Sequence, residues 1–260
     1  MFAGKLIHRL FMLAGFLVVS TAASGQGFKN SELNGENPTK RAGVWTMALQ
    51  EGLCDGRSYG DGRGESDCLN GNIRSQLQGR DSKMGRTVEY SFDVLIPSNF
   101  RYRESLRYRK RGSIEIAGWS HIRAIKNHLY EMHLTERAVT FEDRVCFDRS
   151  RFGEWNSVRI RVKWSLKEDG VLQVLCNGTQ VYAIQGQNLI PPGCGTSIKS
   201  NCHTEKLAHG NPIRWKIGPW YRGFGPDWKE YGRSSPFLPF PPNGVSIKVR
   251  NLYQGKLKPL

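Results

Sequence analysis

The stretch from Trp155 to Gly186 restricts what this chain can fold into more than any other. Val158, Ile160, Val162 and Trp164 alternate with Arg159, Arg161 and Lys163, a period of two that dictates a strand with one buried and one wet face. A turn follows at Lys167-Glu168-Asp169-Gly170, and a second strand at Val171 to Cys176 puts Leu172, Val174 and Cys176 on one side. Asn177-Gly178 then closes a hairpin onto a third run, Thr179 to Ile184, because both turn residues tolerate positive φ. A three-stranded antiparallel meander is therefore predicted. Similar alternation predicts strands at 44–49, 73–78, 89–96, 113–122, 129–134, 139–141, 213–218 and 245–249. No helix of ordinary length and no internal repeat is visible. Many short strands between Gly- and Pro-rich turns mean an all-β sandwich or barrel.

The length of 260 residues suits one large core, so a single domain is expected over residues 42–260. Residues 24–41 are polar and read as a flexible lead-in. Before them, Lys5 and Arg9 precede an apolar run from Leu10 to Val19, and Thr21-Ala22-Ala23 offers small residues for cleavage. Residues 1–23 thus have the pattern of a secretory signal peptide, too short for a membrane span, and a secreted or periplasmic location is expected. The formal net charge is +15, which calls for an acidic partner or an anionic surface. Export argues against nucleic acid as that partner and for an extracellular polyanion, taken up by a monomer with no membrane span. The basic run from Phe100 to Arg111, interleaved with Tyr102 and Tyr108, reads either as a polyanion-binding stretch or as a solvated loop.

All six cysteines lie beyond the signal pattern, and an even count in an exported chain suggests disulfides. The short-range pairs Cys54–Cys68 and Cys194–Cys202 each close a Gly-rich or polar loop, which leaves Cys146–Cys176; this is one of about 15 pairings that six cysteines allow. No two cysteines have the spacing of a zinc site. The stretch Asp61-Gly62-Arg63-Gly64-Glu65-Ser66-Asp67 leaves calcium open but matches no complete calcium loop, so no cofactor is expected.

Three predicted strands set polar residues opposite their apolar faces: Arg74 and Gln76; Trp119 and His121; Arg214 and Lys216. In a curved sandwich these faces form one groove. The segment "GEWNSVRIRVKWSLKEDGVLQVLCNGTQV" resembles the corresponding stretch of heparin-lyase-like and glucuronan-lyase-like polysaccharide lyases, which have a concanavalin A-like jelly-roll fold. The three polar places resemble motifs of jelly-roll alginate-lyase-like and glucuronan-lyase-like enzymes. "RSQLQ" at Arg74 to Gln78 is similar to R-S-E-L-R, "AGWSH" at Ala117 to His121 stands where the family has Q-x-H, and "RWKIGPWYR" at Arg214 to Arg222 resembles Y-F-K-x-G-x-Y with a following polar residue.

The resemblance implies a two-sheet antiparallel jelly roll and a lyase that cleaves an acidic, uronate-containing polysaccharide by β-elimination. Arg74 and Gln76 would neutralise the uronate carboxylate, which acidifies the proton beside it. His121 and Tyr221 would be base and acid. Lys216 and Arg222 would hold neighbouring uronates, and Trp119 or Trp220 would stack on a sugar face. Two departures stand out. One alignment puts His121 in the family's histidine place, and the other puts Ser120 there; the parity of Ile114 and Ile116 favours His121. Two residues after Gly218 stands Trp220 rather than tyrosine, and a bulge at Pro219 would be needed to turn Tyr221 into the groove. A glycosidase on the same fold needs two facing carboxyl groups, and no strand carries a close acidic pair. A binding module without catalysis is the second reading.

Overall fold

A computed structural model describes residues 27–57, 67–68, 71–102, 114–121, 128–189, 212–222 and 240–257, with the backbone alone for His121 and His128. The signal pattern, the stretch 61–66, the basic run from Arg103 on, Cys194 and Cys202 lie outside the described residues. The described strands are β1 (Lys29–Asn30), β2 (Thr39–Arg41), β3 (Val44–Leu49), β4 (Asn72–Arg74), β5 (Leu77–Gln78), β6 (Thr87–Leu95), β7 (Ile114–His121), β8 (His128–Leu134), β9 (Ala138–Phe141), β10 (Arg144–Asp148), β11 (Trp155–Lys163), β12 (Val171–Cys176), β13 (Thr179–Gln185), β14 (Ile213–Arg222) and β15 (Val245–Gly255). One turn of 3-10 helix at Arg149–Arg151 is the only helical element among the described residues.

The strands form two antiparallel sheets packed face to face, as the jelly-roll reading expects. The first runs β1-β5-β14-β7-β8-β9-β10, with β4 also on β14; the second runs β13-β12-β11-β6-β15-β3-β2. The meander is present as predicted. Cys176 pairs with Thr179 across a two-residue turn in which Asn177 and Gly178 both have positive φ (49° and 81°). Val158, Ile160 and Val162 are buried, while Arg159, Arg161 and Lys163 point away from the core. The inward faces meet in a layer of large rings: Trp119, Trp164, Trp215, Tyr90, Phe92 and Phe141. Such rings dominate core energetics by sheer buried area.

The structure alters several sequence expectations. The lead-in carries the short strands β1 and β2. The single strand expected over 73–78 is broken at Ser75-Gln76 into β4 and β5. Pro219 does not end β14, which continues to Arg222. Two of the three expected disulfides are formed, Cys54–Cys68 and Cys146–Cys176.

Strand register determines which residues reach the outer face of the first sheet. Between the same two rows, β8 advances one residue (Met132 to His133), β7 two (Ala117 to Glu115) and β14 three (Ile217 to Trp220). One and three steps preserve alternation, whereas two do not. Ile116 is therefore the extra residue of a bulge in β7 and reverses the facing of all that follows in that strand. Both Ile116 and its neighbour Ala117 are buried.

Candidate functional site

Three rows of residues cross the outward face of the first sheet. The first joins Arg74, Trp220, Glu115 and His133; the second joins Gln78, Lys216, Gly118 and Glu131; the third joins Arg214, Ser120 and position 128. The rows between them carry Leu77, Ile217, Ala117 and Met132, or Trp215, Trp119 and Tyr130, and these are buried in the core. Although the face looks away from the core, Glu115 is only 3% exposed, Gln78 5% and Arg74 8%. These three side chains lie low among their neighbours, and the outer face around them is the candidate recess.

Arg74 is fixed at the recess by Asp67: Nη2 donates to Oδ1 at 2.8 Å, and Nε stands 2.6 Å from Oδ2 as an ion pair. A charge-assisted hydrogen bond of this kind is stronger than one between neutral groups. Arg222 donates to Glu115 and to Glu131, 2.5 Å in each case. Burial works against the Arg222 charge, but Glu115 and Glu131 outweigh it and hold the guanidinium more basic than usual. Glu131 also meets His133 Nε2 at 3.1 Å. The Trp220 ring lies between the two guanidiniums, each 4.1 Å from its centre. Arg214 pairs with Asp81 at 3.2 Å. Four cations, Arg74, Arg214, Lys216 and Arg222, thus stand among four carboxylates, Asp67, Asp81, Glu115 and Glu131. Among the described residues the recess is close to charge-balanced.

Lys216 differs from the three arginines. Burial chiefly, and then the nearby Arg74, push its ammonium down to about 8; Arg214 adds to this, while Glu115 and Asp67 oppose it.

The structure brings together Arg74, Lys216, Trp220 and Arg222. It does not bring Gln76, Trp119 or Tyr221 to them, and of His121 only the backbone is described. Trp119 is a correction: it is 1% exposed and stacks on Trp215 (6.0 Å between rings, 8° between planes), so it is a core residue and cannot be a sugar platform. The Ile116 bulge is the reason, since it reverses the parity on which the expectation rested. The same reversal puts Ser120 in the polar row with Arg214 and puts position 121 in register with the core residue Ile213. Tyr221 is also corrected. It is in register with Ile73, is 4% exposed and meets Phe240 edge-on at 5.1 Å, and burial raises its hydroxyl well above the usual tyrosine value. Pro219 does not turn it to the face, because three residues from Ile217 to Trp220 keep the alternation intact. Gln76 is fully buried between β4 and β5, its amide donating to the Gly218 carbonyl at 3.3 Å.

Sequence reasoning missed Asp67, Gln78, Glu131 and His133. Glu131 and His133 alternate with Tyr130, Met132 and Leu134, so their shared facing was readable from period two. Among the described residues no group of three or more His, Cys, Asp or Glu side chains is placed to hold a metal ion.

The two-sheet sandwich is similar in fold to several solved lyases. The endo-β-1,4-glucuronan lyase of the fungus Trichoderma reesei superposes with a TM-score of 0.50 at 12% identity, covering 90% of this chain and 89% of that one. Alginate lyase AlgAT5 of polysaccharide lyase family 7 gives 0.46 at 10% identity, covering 85% and 82%. Alginate lyase A1-II′, another member of that family, gives 0.42 at 13% identity, covering 84% and 83%. No family model and no curated protein matches the chain. At these identities the likeness is one of fold: the chain has a polysaccharide-lyase-like jelly roll.

Proposed function

We propose that this chain is an exported polysaccharide lyase that cleaves an acidic, uronate-containing glycan by β-elimination in the recess of the first sheet. One observation carries the reading. Residues picked out by motif on separate strands, Arg74 on β4 and Lys216 and Arg222 on β14, meet on one outer face of a fold similar over nine-tenths of its length to a glucuronan lyase. A lyase must offset the carboxylate charge beside the proton to be removed, and cations at fixed positions do this without reorganising during the reaction. Arg74, held by Asp67, is the group suited to that task, with Arg214 and Arg222 placed for flanking uronates. No cofactor is needed for these steps.

The test is incubation of the protein lacking residues 1–23 with a panel of polyuronates. The expected product is a new unsaturated sugar end, read by its ultraviolet absorbance. A second reading, a glycan-binding module without catalysis, is favoured by a specific observation: Ser120 and Trp220 occupy the polar rows where the motifs would put histidine and tyrosine. It predicts measurable affinity for polyuronates with no unsaturated product at any pH, with or without calcium.

A further inference from the structure

Among the described residues of the recess, Lys216 is the cation that no carboxylate holds. Arg74 is bound by Asp67, Arg214 by Asp81, and Arg222 by Glu115 and Glu131. Among the described residues neither a hydrogen bond nor an ion pair fixes the Lys216 ammonium. It stands in the middle row, with Gln78 on one side and Gly118 on the other, and Glu131 beyond Gly118. Gly118 brings no side chain, and the space its Cβ would fill is taken by the Glu115 carboxylate, 2.3 Å from that point. The Glu115 carboxylate therefore covers the floor between Lys216 and Glu131, and Arg222 offsets its charge.

The groups that face Lys216 come from every strand around it: Arg74 on β4 with Asp67 behind it, Gln78 on β5, Glu115 on β7, Glu131 on β8 and Arg214 on its own strand. Arginine does not give up a proton at neutral pH, and the carboxylates Glu115 and Glu131 are already engaged by Arg222. His133 is tied to Glu131. A half-buried lysine that shares its site with arginines loses its proton more readily than an exposed one.

We propose that Lys216 is the Brønsted base of the elimination, an assignment that rests on the lyase reading given above. The neutral amine takes the proton from the carbon next to the uronate carboxylate. The electron pair of that C–H bond becomes the new ring double bond as the glycosidic C–O bond at the neighbouring carbon breaks. The departing oxygen takes back a proton from the Lys216 ammonium. The amine is restored, no water is consumed, and the products are an unsaturated uronate end and a free hydroxyl. With its ammonium pushed down to about 8, a sizeable neutral fraction exists near neutral pH, which is what a general base requires.

The experiment compares the wild-type protein with Lys216→Ala, Lys216→Arg and His133→Ala. It measures kcat on a cleaved polyuronate, affinity for the same glycan by calorimetry, and the pH dependence of lysine acylation by limiting acetic anhydride, read by mass spectrometry. The expected result is a loss in kcat of roughly a hundredfold or more in both Lys216 variants, the scale of losing a general base. Glycan affinity should stay within a few-fold, and methylamine should restore part of the Lys216→Ala rate. In the wild type, acylation of Lys216 should turn on at lower pH than that of the exposed Lys248. A wild type that yields no unsaturated ends overturns the lyase reading, and this assignment with it. An active wild type whose Lys216→Arg variant keeps its kcat overturns the assignment alone, as does loss of kcat in His133→Ala only. If Lys216→Ala fails to fold, acylation decides: a Lys216 that titrates together with Lys248 refutes the proposal.

Discussion

Replacing Trp119 with alanine tests whether the register of β7 is right. The indole is fully enclosed, stacked on Trp215, edge-on to Tyr90 at 5.5 Å and tilted against Phe141 at 6.2 Å. Truncating a core tryptophan to alanine costs about 3–5 kcal/mol, the removed transfer energy plus the cavity left behind. Loss of three ring contacts, each worth roughly 0.5–1.5 kcal/mol beyond area, puts this site at the upper end of that range. For a domain of this size about 1 kcal/mol moves Tm by roughly 2–4 °C, so Trp119→Ala should melt about 6–20 °C below the wild type. Total stability is typically about 5–15 kcal/mol, so the variant can lie near the edge of folding; Trp119→Phe, which keeps a ring, should fall between the two. Urea unfolding followed by far-ultraviolet circular dichroism gives the stability, and calorimetry with a polyuronate gives the affinity. An unchanged unfolding midpoint together with weakened glycan binding would mean that Trp119 faces sugar, and the Ile116 bulge would then be wrong.

Tyr221→Phe should leave turnover within about twofold, far from the hundredfold cost of removing a general acid, because its ring packs against Phe240 away from the recess; a rate assay on the cleaved glycan decides. Gly218 has φ +125°, and a Cβ there would lie 2.2 Å from the Ser75 carbonyl oxygen and 2.8 Å from Met47 Sδ. Gly218→Ala should therefore lose at least about 1–3 kcal/mol in urea unfolding. Opening Cys54–Cys68 and Cys146–Cys176 by paired serine substitution should cost about 3 and about 4 kcal/mol, from sequence separations of 14 and 30. Lys216→Met should be more stable than the wild type at neutral pH. The wild-type penalty is fully present below about 8, where the folded ammonium is still charged, and fades as pH rises toward 10.5, the unperturbed lysine value, so the two unfolding curves should converge across that window.

The parts of this fold legible in the sequence are those where alternation runs unbroken. The meander is one: Val158, Ile160 and Val162 face the core without interruption, and Asn177-Gly178 closes its hairpin as the residue types require. The strands β1, β2 and β10 were not legible, the first two being very short and polar and the third carrying its apolar residues in one run without alternation. In the site, Arg74, Lys216 and Arg222 were found by motif and alternation together. Trp119 was misplaced for a local reason. A bulge adds one residue with no signature of its own, and Ile116 and Ala117 are equally content to be buried, so nothing in the letters marks where parity reverses. Partnership was also invisible. That Asp67 claims Arg74, and that Glu115 and Glu131 claim Arg222, depends on strands distant in sequence.

The stepwise count of one, two and three residues across β8, β7 and β14 decides which side chains line the recess. A facing set by backbone arithmetic does not depend on the identity of the side chains it presents. Point substitutions at Gln78, Ser120 or Lys216 can exchange one chemistry for another while the facing persists. Loss or gain of a single residue near Ile116 or Pro219 would instead turn whole strand segments inside out, sending the rings of the core to solvent and the charges inward. The hazard for this architecture is thus the frame of the strands, and its freedom to diversify lies in the letters.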